Sequence, residues 1–216
     1  MNHRETGRRR DELILGLVDR FGCASTSQVC RALFSGKSAA QSCQRRLRLL
    51  HERGLLHRQR LEPGGPYVYS RGRVSQHAHR LAVVEVYLAC LRERRQGERI
   101  EFVPEFVLAG GDRADALIWW QTPNADYLAF LEVQRTGYAR LSKYMRYLLS
   151  EQWRQEEWGK AGVFPRVLVA GRSKKPPDPF SDLHRTQPLW REVVFIARNR
   201  LVFLFTQYSS CYAKFP

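Results

Sequence analysis

Asp115 and Glu132 are the two residues of this 216-residue chain whose type agrees least with their neighbours. Asp115 stands in Arg113-Ala114-Asp115-Ala116-Leu117, at the start of a strand-like run. Glu132 stands in Phe130-Leu131-Glu132-Val133-Gln134, inside an otherwise apolar one. A carboxylate in an apolar strand is costly unless a cation or hydrogen bonds meet it. On neighbouring antiparallel strands the two acids would bring their oxygens together, with the Val133 carbonyl as a third. Such a set of hard oxygens suits Mg²⁺ or Mn²⁺. An ion held there clamps a phosphate and activates a water, which is phosphodiester hydrolysis. Glu105, after Pro104, and Glu85, on the segment upstream, are further candidate oxygens, and Glu105 is counted with Asp115 and Glu132 as a metal ligand. The plainer reading of Asp115 is a strand cap or an ion pair with Arg113.

The elements that must position these acids are legible from periodicity. Leu81, Val84, Tyr87, Leu88 and Leu91 recur at helical spacing over residues 79–95. Three strand-like runs follow at 100–108, 114–120 and 127–134, separated by Gly110-Gly111 and Pro123-Asn124. One long helix is predicted over 138–158, with Leu141, Tyr144 and Leu148 inward, followed by strands at 166–170, 193–197 and 201–206. Lys174-Lys175-Pro176-Pro177 reads as a loop. The Trp119-Trp120 pair and Phe164 read as core or sheet edge.

The first 75 residues read differently. Leu13, Ile14, Leu17 and Phe21 form a helical stripe closed by Gly22, and Ser25-Thr26-Ser27-Gln28 is a capping box opening a second helix with Val29, Leu33 and Phe34 on its apolar face. A third helix runs from Ser38 to about Arg53, with Leu47 and Leu50 inward. Short strands lie on either side of Pro63-Gly64-Gly65. Three helices and a glycine-tipped hairpin describe a winged helix-turn-helix. In such a module Gln41 and Gln44 read base edges, Arg45, Arg46 and Arg48 follow them, and Arg58 and Arg60 on the wing touch phosphates. The alternative is a solvated basic face that binds protein.

Charge agrees with a polyanionic partner. Lys and Arg number 36 against 21 Asp and Glu, a formal +15. The first 75 residues carry 15 against 6 and the remainder 21 against 15, so the excess is densest at the N-terminal end. Double-stranded DNA is the expected partner and an anionic membrane surface the rival. No apolar run reaches spanning length and the first 20 residues are too charged for a signal peptide, so a cytoplasmic protein with no membrane association is expected. Five scattered cysteines without a C-x-x-C pair suggest reduced, inert thiols. His77-Ala78-His79 lies at a helical start, where residues i and i+2 diverge by about 200° and cannot share an ion. No Gly-x-Ser-x-Gly elbow supports a serine triad. A winged helix admits a homodimer reading two half-sites, and no heptad marks one in the sequence.

Together these segments carry a resemblance. Asp115 followed by Glu132-Val133-Gln134 looks like the restriction-endonuclease-like P-D/E-x-K nuclease fold. The whole order resembles the replication-relaxation family of plasmids and integrative elements, which includes the MobC-type mobilisation proteins. The matching residues are the N-terminal module, then His79-Arg80-Leu81-Ala82-Val83-Val84-Glu85-Val86, Pro104-Glu105, Arg113-Ala114-Asp115, and Leu131-Glu132-Val133-Gln134-Arg135-Thr136-Gly137 with Lys143 and Tyr147 beyond. The likeness covers roughly residues 8–170. It implies an α+β chain: a winged helix-turn-helix at 1–75 and a restriction-endonuclease-like domain with a mixed central sheet at 76–216. It also implies DNA handling at an origin-like site, nicking in some members, and other mobilisation or replication proteins of the same element as partners. Asp115 and Glu132 would be the metal ligands. Two departures stand out: Ala114 precedes the aspartate where the family has proline, and Gln134 stands where the fold's catalytic lysine is usual. Glutamine orients a water but supplies no positive charge. Lys143 on the following helix, or Arg135, is the candidate substitute. The alternative function is a catalytically idle DNA-binding accessory factor or repressor on the same scaffold.

Overall fold

The computed structural model describes residues 3–134 and 141–171 and the strand at 193–197. The chain is α+β and divides into two compact units, Met1–Leu88 and Ala89–Pro216. Among the described residues no helix is long and apolar enough to cross a membrane.

The first unit holds α1 (His3–Phe21), β1 (Cys23–Ser25), α2 (Thr26–Leu33), α3 (Ala39–Glu52), β2 (His57–Arg60), β3 (Tyr67–Ser70) and the first turns of α4 (His77–Glu93). The dividing line falls inside α4, beyond the boundary expected after residue 75. The capping box forms as its sequence requires: Gln28 N–H donates to Ser25 Oγ, and the Ser25 N–H donates to Gln28 Oε1. The core is Ile14, Leu17, Val18 and Phe21 of α1 against Val29, Cys43, Leu47, Leu50, Leu56 and Val68. Leu13, expected in the stripe, is half exposed, and Val18 takes its place. The three strands form an antiparallel sheet in the order β1-β3-β2. β1 was not apparent in the sequence, because Cys-Ala-Ser is too short for an alternating pattern.

The second unit is a five-stranded mixed sheet, β4 (Arg99–Pro104), β5 (Ala116–Gln121), β6 (Asp126–Gln134), β7 (Arg166–Gly171) and β8 (Val193–Ala197), in that spatial order. β4, β5 and β6 are antiparallel neighbours, whereas β6-β7 and β7-β8 are parallel. β4 stops four residues short of the expected 108, because Pro104 has no N–H to donate and Glu105 adopts a left-handed φ of +53°. The strand expected at 201–206, the loop at 174–177, Arg135 and Cys211 lie outside the described residues.

The long helix expected at 138–158 is broken. Its described part consists of α5 (Ser142–Leu149), a 3-10 turn at Gln152–Gln155, and a single helical turn α6 (Glu157–Lys160). The break falls at Glu151, with φ +55°. Its cause is aromatic packing. On a continuous helix Trp153 would lie roughly 240° around from Tyr147, away from the core. Breaking the helix lets Tyr144, Tyr147 and Trp158 pack beside Phe130 and brings Trp153 into the same cluster, its indole stacked on that of Trp158 at 6.2 Å.

Candidate functional site

In the first unit, α3 and the β2–β3 hairpin enclose a groove of about 900 Å³ with α2 at its back. Ala40, Gln41, Gln44, Arg45 and Arg48 line it from one face of α3, a consequence of their helical spacing, while Cys43, Leu47 and Leu50 anchor the opposite face in the core. Arg58, Arg60, Gly65, Pro66, Tyr67 and Tyr69 line it from the hairpin, and Arg31 from α2. Five arginines face this space and its lining contains no aspartate or glutamate. On β2, Arg58 and Arg60 share one face by strand alternation, and both guanidinium groups lie over the Tyr67 ring, at 4.9 and 4.4 Å from its centroid. The side chains of Gln41, Gln44 and Arg45 carry no hydrogen bond or ion pair among the described residues.

Arg46 departs from the expectation. It does not reach the groove. Its Nε donates to Asp11 Oδ1 at 2.8 Å, a second nitrogen pairs with Asp11 Oδ2, and the same nitrogen donates to the Gly7 carbonyl at 3.0 Å. Three residues from Cys43 and four from Leu50, Arg46 faces α1 and ties α3 to it. Glu85, a further candidate oxygen, is engaged within the first unit: it accepts from Gln28 Nε2 at 2.8 Å and pairs with Arg31 at 2.6 Å.

In the second unit the register that pairs Ala116 with Leu131 sets Asp115, one residue before β5, opposite Glu132 near the end of β6. The Asp115 N–H donates to the Leu131 carbonyl, and Asp115 Oδ2 accepts the Val133 N–H at 2.6 Å. Asp115 thus holds a backbone N–H of the neighbouring strand, and an Arg113 nitrogen lies 3.9 Å from Glu105. Glu132 lies on the sheet face of Phe130 and is 9% exposed. Because α5 packs Tyr144 onto Phe130 at 5.2 Å, the Tyr144 hydroxyl reaches Glu132 Oε1 and donates to it at 2.5 Å. Lys143, the neighbouring residue, brings its Nζ to 2.5 Å from the same oxygen and donates to the Arg113 carbonyl, also at 2.5 Å.

Burial first, and then the charge of Asp115, raise the Glu132 carboxyl above its usual range, with Lys143 and Tyr144 acting in the opposite sense. Burial, followed by the charge of Glu132, holds the Tyr144 hydroxyl far above the ordinary phenol range, so it serves as a neutral donor. Sequence reasoning placed Tyr144 in the core by its period and missed this second role. Its position beside Lys143, on the first helix after Glu132, was the available signal.

Asp115, Glu132 and Lys143 are thus brought together. Gln134 lies two residues beyond Glu132, at the end of β6 opposite Gly171. Glu105 is not part of a metal cluster: among the described residues no group of three or more His, Cys, Asp or Glu could hold an ion. His77 and His79 both lie in α4. The donor set around Asp115 and Glu132 nonetheless fits a hard divalent ion in kind, with two carboxylates and the Arg113 carbonyl, all oxygen. A protein cation, Lys143, already sits among these atoms.

Compared with known protein families, curated proteins and solved structures, the chain matches none.

Proposed function

We propose that the chain is a duplex-DNA-binding protein of a mobile genetic element, of the replication-relaxation type, with a winged helix-turn-helix in its first unit. The observation that carries this reading is the groove between α3 and the hairpin, faced by five arginines and no acid. Arginine forks match phosphate geometry and stay charged at any working pH. Exposed Gln41 and Gln44, without competing partners, supply amide donors and acceptors suited to base edges. In the competing protein-binding reading this face would meet an acidic surface and its affinity would not depend on duplex DNA.

A second reading concerns the second unit and rests on the convergence of Asp115, Glu132 and Lys143. Two facing acids on antiparallel strands, with a lysine entering from the next helix, support a restriction-endonuclease-like domain in which Lys143 supplies the charge that Gln134 lacks. Asp115 and Glu132 would hold Mg²⁺ or Mn²⁺, and the ion would polarise the phosphate and its attacking water. Tyr144 fixes the Glu132 rotamer, and the Val133 N–H fixes that of Asp115. The idle-scaffold alternative uses the same pair only for structure.

The test of the first reading is binding to a duplex of about three helical turns across a salt series. The Arg45→Ala/Arg48→Ala variant is expected to bind less tightly and to lower the slope of log K against log salt by about 2, one for each phosphate no longer neutralised. An unchanged slope would overturn the placement of DNA in this groove. Plasmid relaxation with Mg²⁺ and Mn²⁺ tests the second: wild type should open supercoiled circles, and inert wild type with both metals leaves the idle scaffold.

A further inference from the structure

Lys143 occupies an unusual position for a lysine on the first turn of a helix. Its side chain is only 14% exposed, and its Nζ stands 2.5 Å from Glu132 Oε1 and 2.5 Å from the Arg113 carbonyl oxygen. These are an anionic and a neutral oxygen, the two kinds of donor that a hard cation collects. The Nζ also lies 5.2 Å from the centroid of the Tyr144 ring, whose hydroxyl donates to that same Glu132 oxygen. Asp115 stands across the strand pair, close enough for its charge to act on Glu132.

We infer that Lys143 is the resident cation of the acid pair: its ammonium fills the seat between Glu132 and the Arg113 carbonyl that a divalent ion would take, so that ion and ammonium exclude one another. The inference deepens the second reading above, since it rests on the acid pair being able to take a divalent ion. The physical reason is charge balance in a poorly solvated space. The ammonium stands against Glu132 with one positive charge. A divalent ion brings two but cannot share the seat, because ion and ammonium at such separations repel one another strongly where water screens weakly. Metal entry therefore means displacement of Lys143, whose four-carbon stem allows the ammonium to swing clear. The displaced ammonium becomes a free point charge beside the pair, available to a phosphate. While no ion is bound, the ammonium keeps the two acids from repelling one another across β5 and β6.

The test uses the full chain without DNA and Mn²⁺ alone as the probe, read by loss of the free-ion electron paramagnetic resonance signal. Wild type is expected to bind Mn²⁺ weakly. Lys143→Met, which keeps the stem and removes the charge, is expected to bind at least about tenfold more tightly. Adding Glu132→Gln to Lys143→Met should return affinity to the wild-type level or below. Mn²⁺ should also raise the melting temperature of Lys143→Met and leave that of wild type nearly unchanged. Should the methionine variant not fold, Lys143→Gln, which retains a donor for the Arg113 carbonyl, replaces it in the same titration. Affinity in the lysine-free variant no greater than wild type, or a gain that survives Glu132→Gln, overturns the inference. Plasmid relaxation separates the two ideas: inert wild type together with a tight Lys143→Met site sinks hydrolysis and leaves the resident-cation inference standing. Active wild type with no gain in Lys143→Met does the reverse.

Discussion

A charged side chain inside a fold is explained by what it touches. Arg46 makes the point, because its neighbours Arg45 and Arg48 carry the same charge on the same helix and face the groove instead. Arg46 spends its fork on Asp11 and the Gly7 carbonyl, with only 22% of its own side chain and 13% of that of Asp11 exposed. Arg46→Ala should destabilise the first unit by about 2 kcal/mol, the scale for removing a partner from a largely buried charge. Urea unfolding measures this, and the salt slope of DNA binding should be unaltered in the folded variant; a reduced slope would put Arg46 on DNA after all. The thiols allow a second prediction. Burial pushes Cys23 up to about 11 and Cys43 and Cys90 up to about 12, from an ordinary 9. Each therefore binds its proton more tightly folded than unfolded. Their contribution to stability is complete below pH 9 and is lost as pH rises through 11 and 12. Urea midpoints should fall between pH 9 and pH 11, and less steeply in Cys90→Ala; equal slopes would mean that other groups carry the alkaline loss.

At the scale of elements, the readable parts were those whose signal is local. The capping box at Ser25 needs only four residues, and the hairpin at Gly64-Gly65 needs two, so both follow from the sequence. β1 and the break near Glu151 were not readable, because each is settled by distant partners: β3 for the first and the ring cluster around Phe130 for the second. The acid pair is intermediate. Strand order in the sequence brings Asp115 and Glu132 to adjoining strands, but their exact opposition depends on a register that only the structure gives. Gly159 marks how tightly the broken segment is packed. A Cβ placed there would lie 1.9 Å from the Trp153 carbonyl oxygen, a backbone atom with little room to move. Gly159→Ala should cost about 3 kcal/mol, at the upper end for overpacking, and should reduce the near-ultraviolet circular dichroism of the stacked Trp153 and Trp158. A variant as stable as wild type with that signal intact would show that the segment repacks freely.

At the scale of the whole molecule, two compact units carry the two candidate sites separately: the arginine groove lies within Met1–Leu88, and Asp115, Glu132 and Lys143 lie within Ala89–Pro216. The formal charge of +15 draws the entire chain toward a polyanion, so loss of affinity alone would not say which site DNA uses. Separate damage to the two units resolves this. Arg45→Ala/Arg48→Ala should weaken duplex binding without altering the Mn²⁺ titration, because it leaves Asp115, Glu132 and Lys143 in place. Asp115→Asn/Glu132→Gln should leave duplex affinity within about threefold of wild type, since it removes charges that repel phosphate and none that attract it. It should also abolish any plasmid nicking. The revealing pattern is this double dissociation, measured on the same preparations by fluorescence anisotropy and plasmid relaxation. If the acid-pair variant instead bound duplex more than tenfold more weakly, the second unit would be a principal DNA-holding surface. The groove between α3 and the hairpin would then lose its standing as the place where the duplex is recognised.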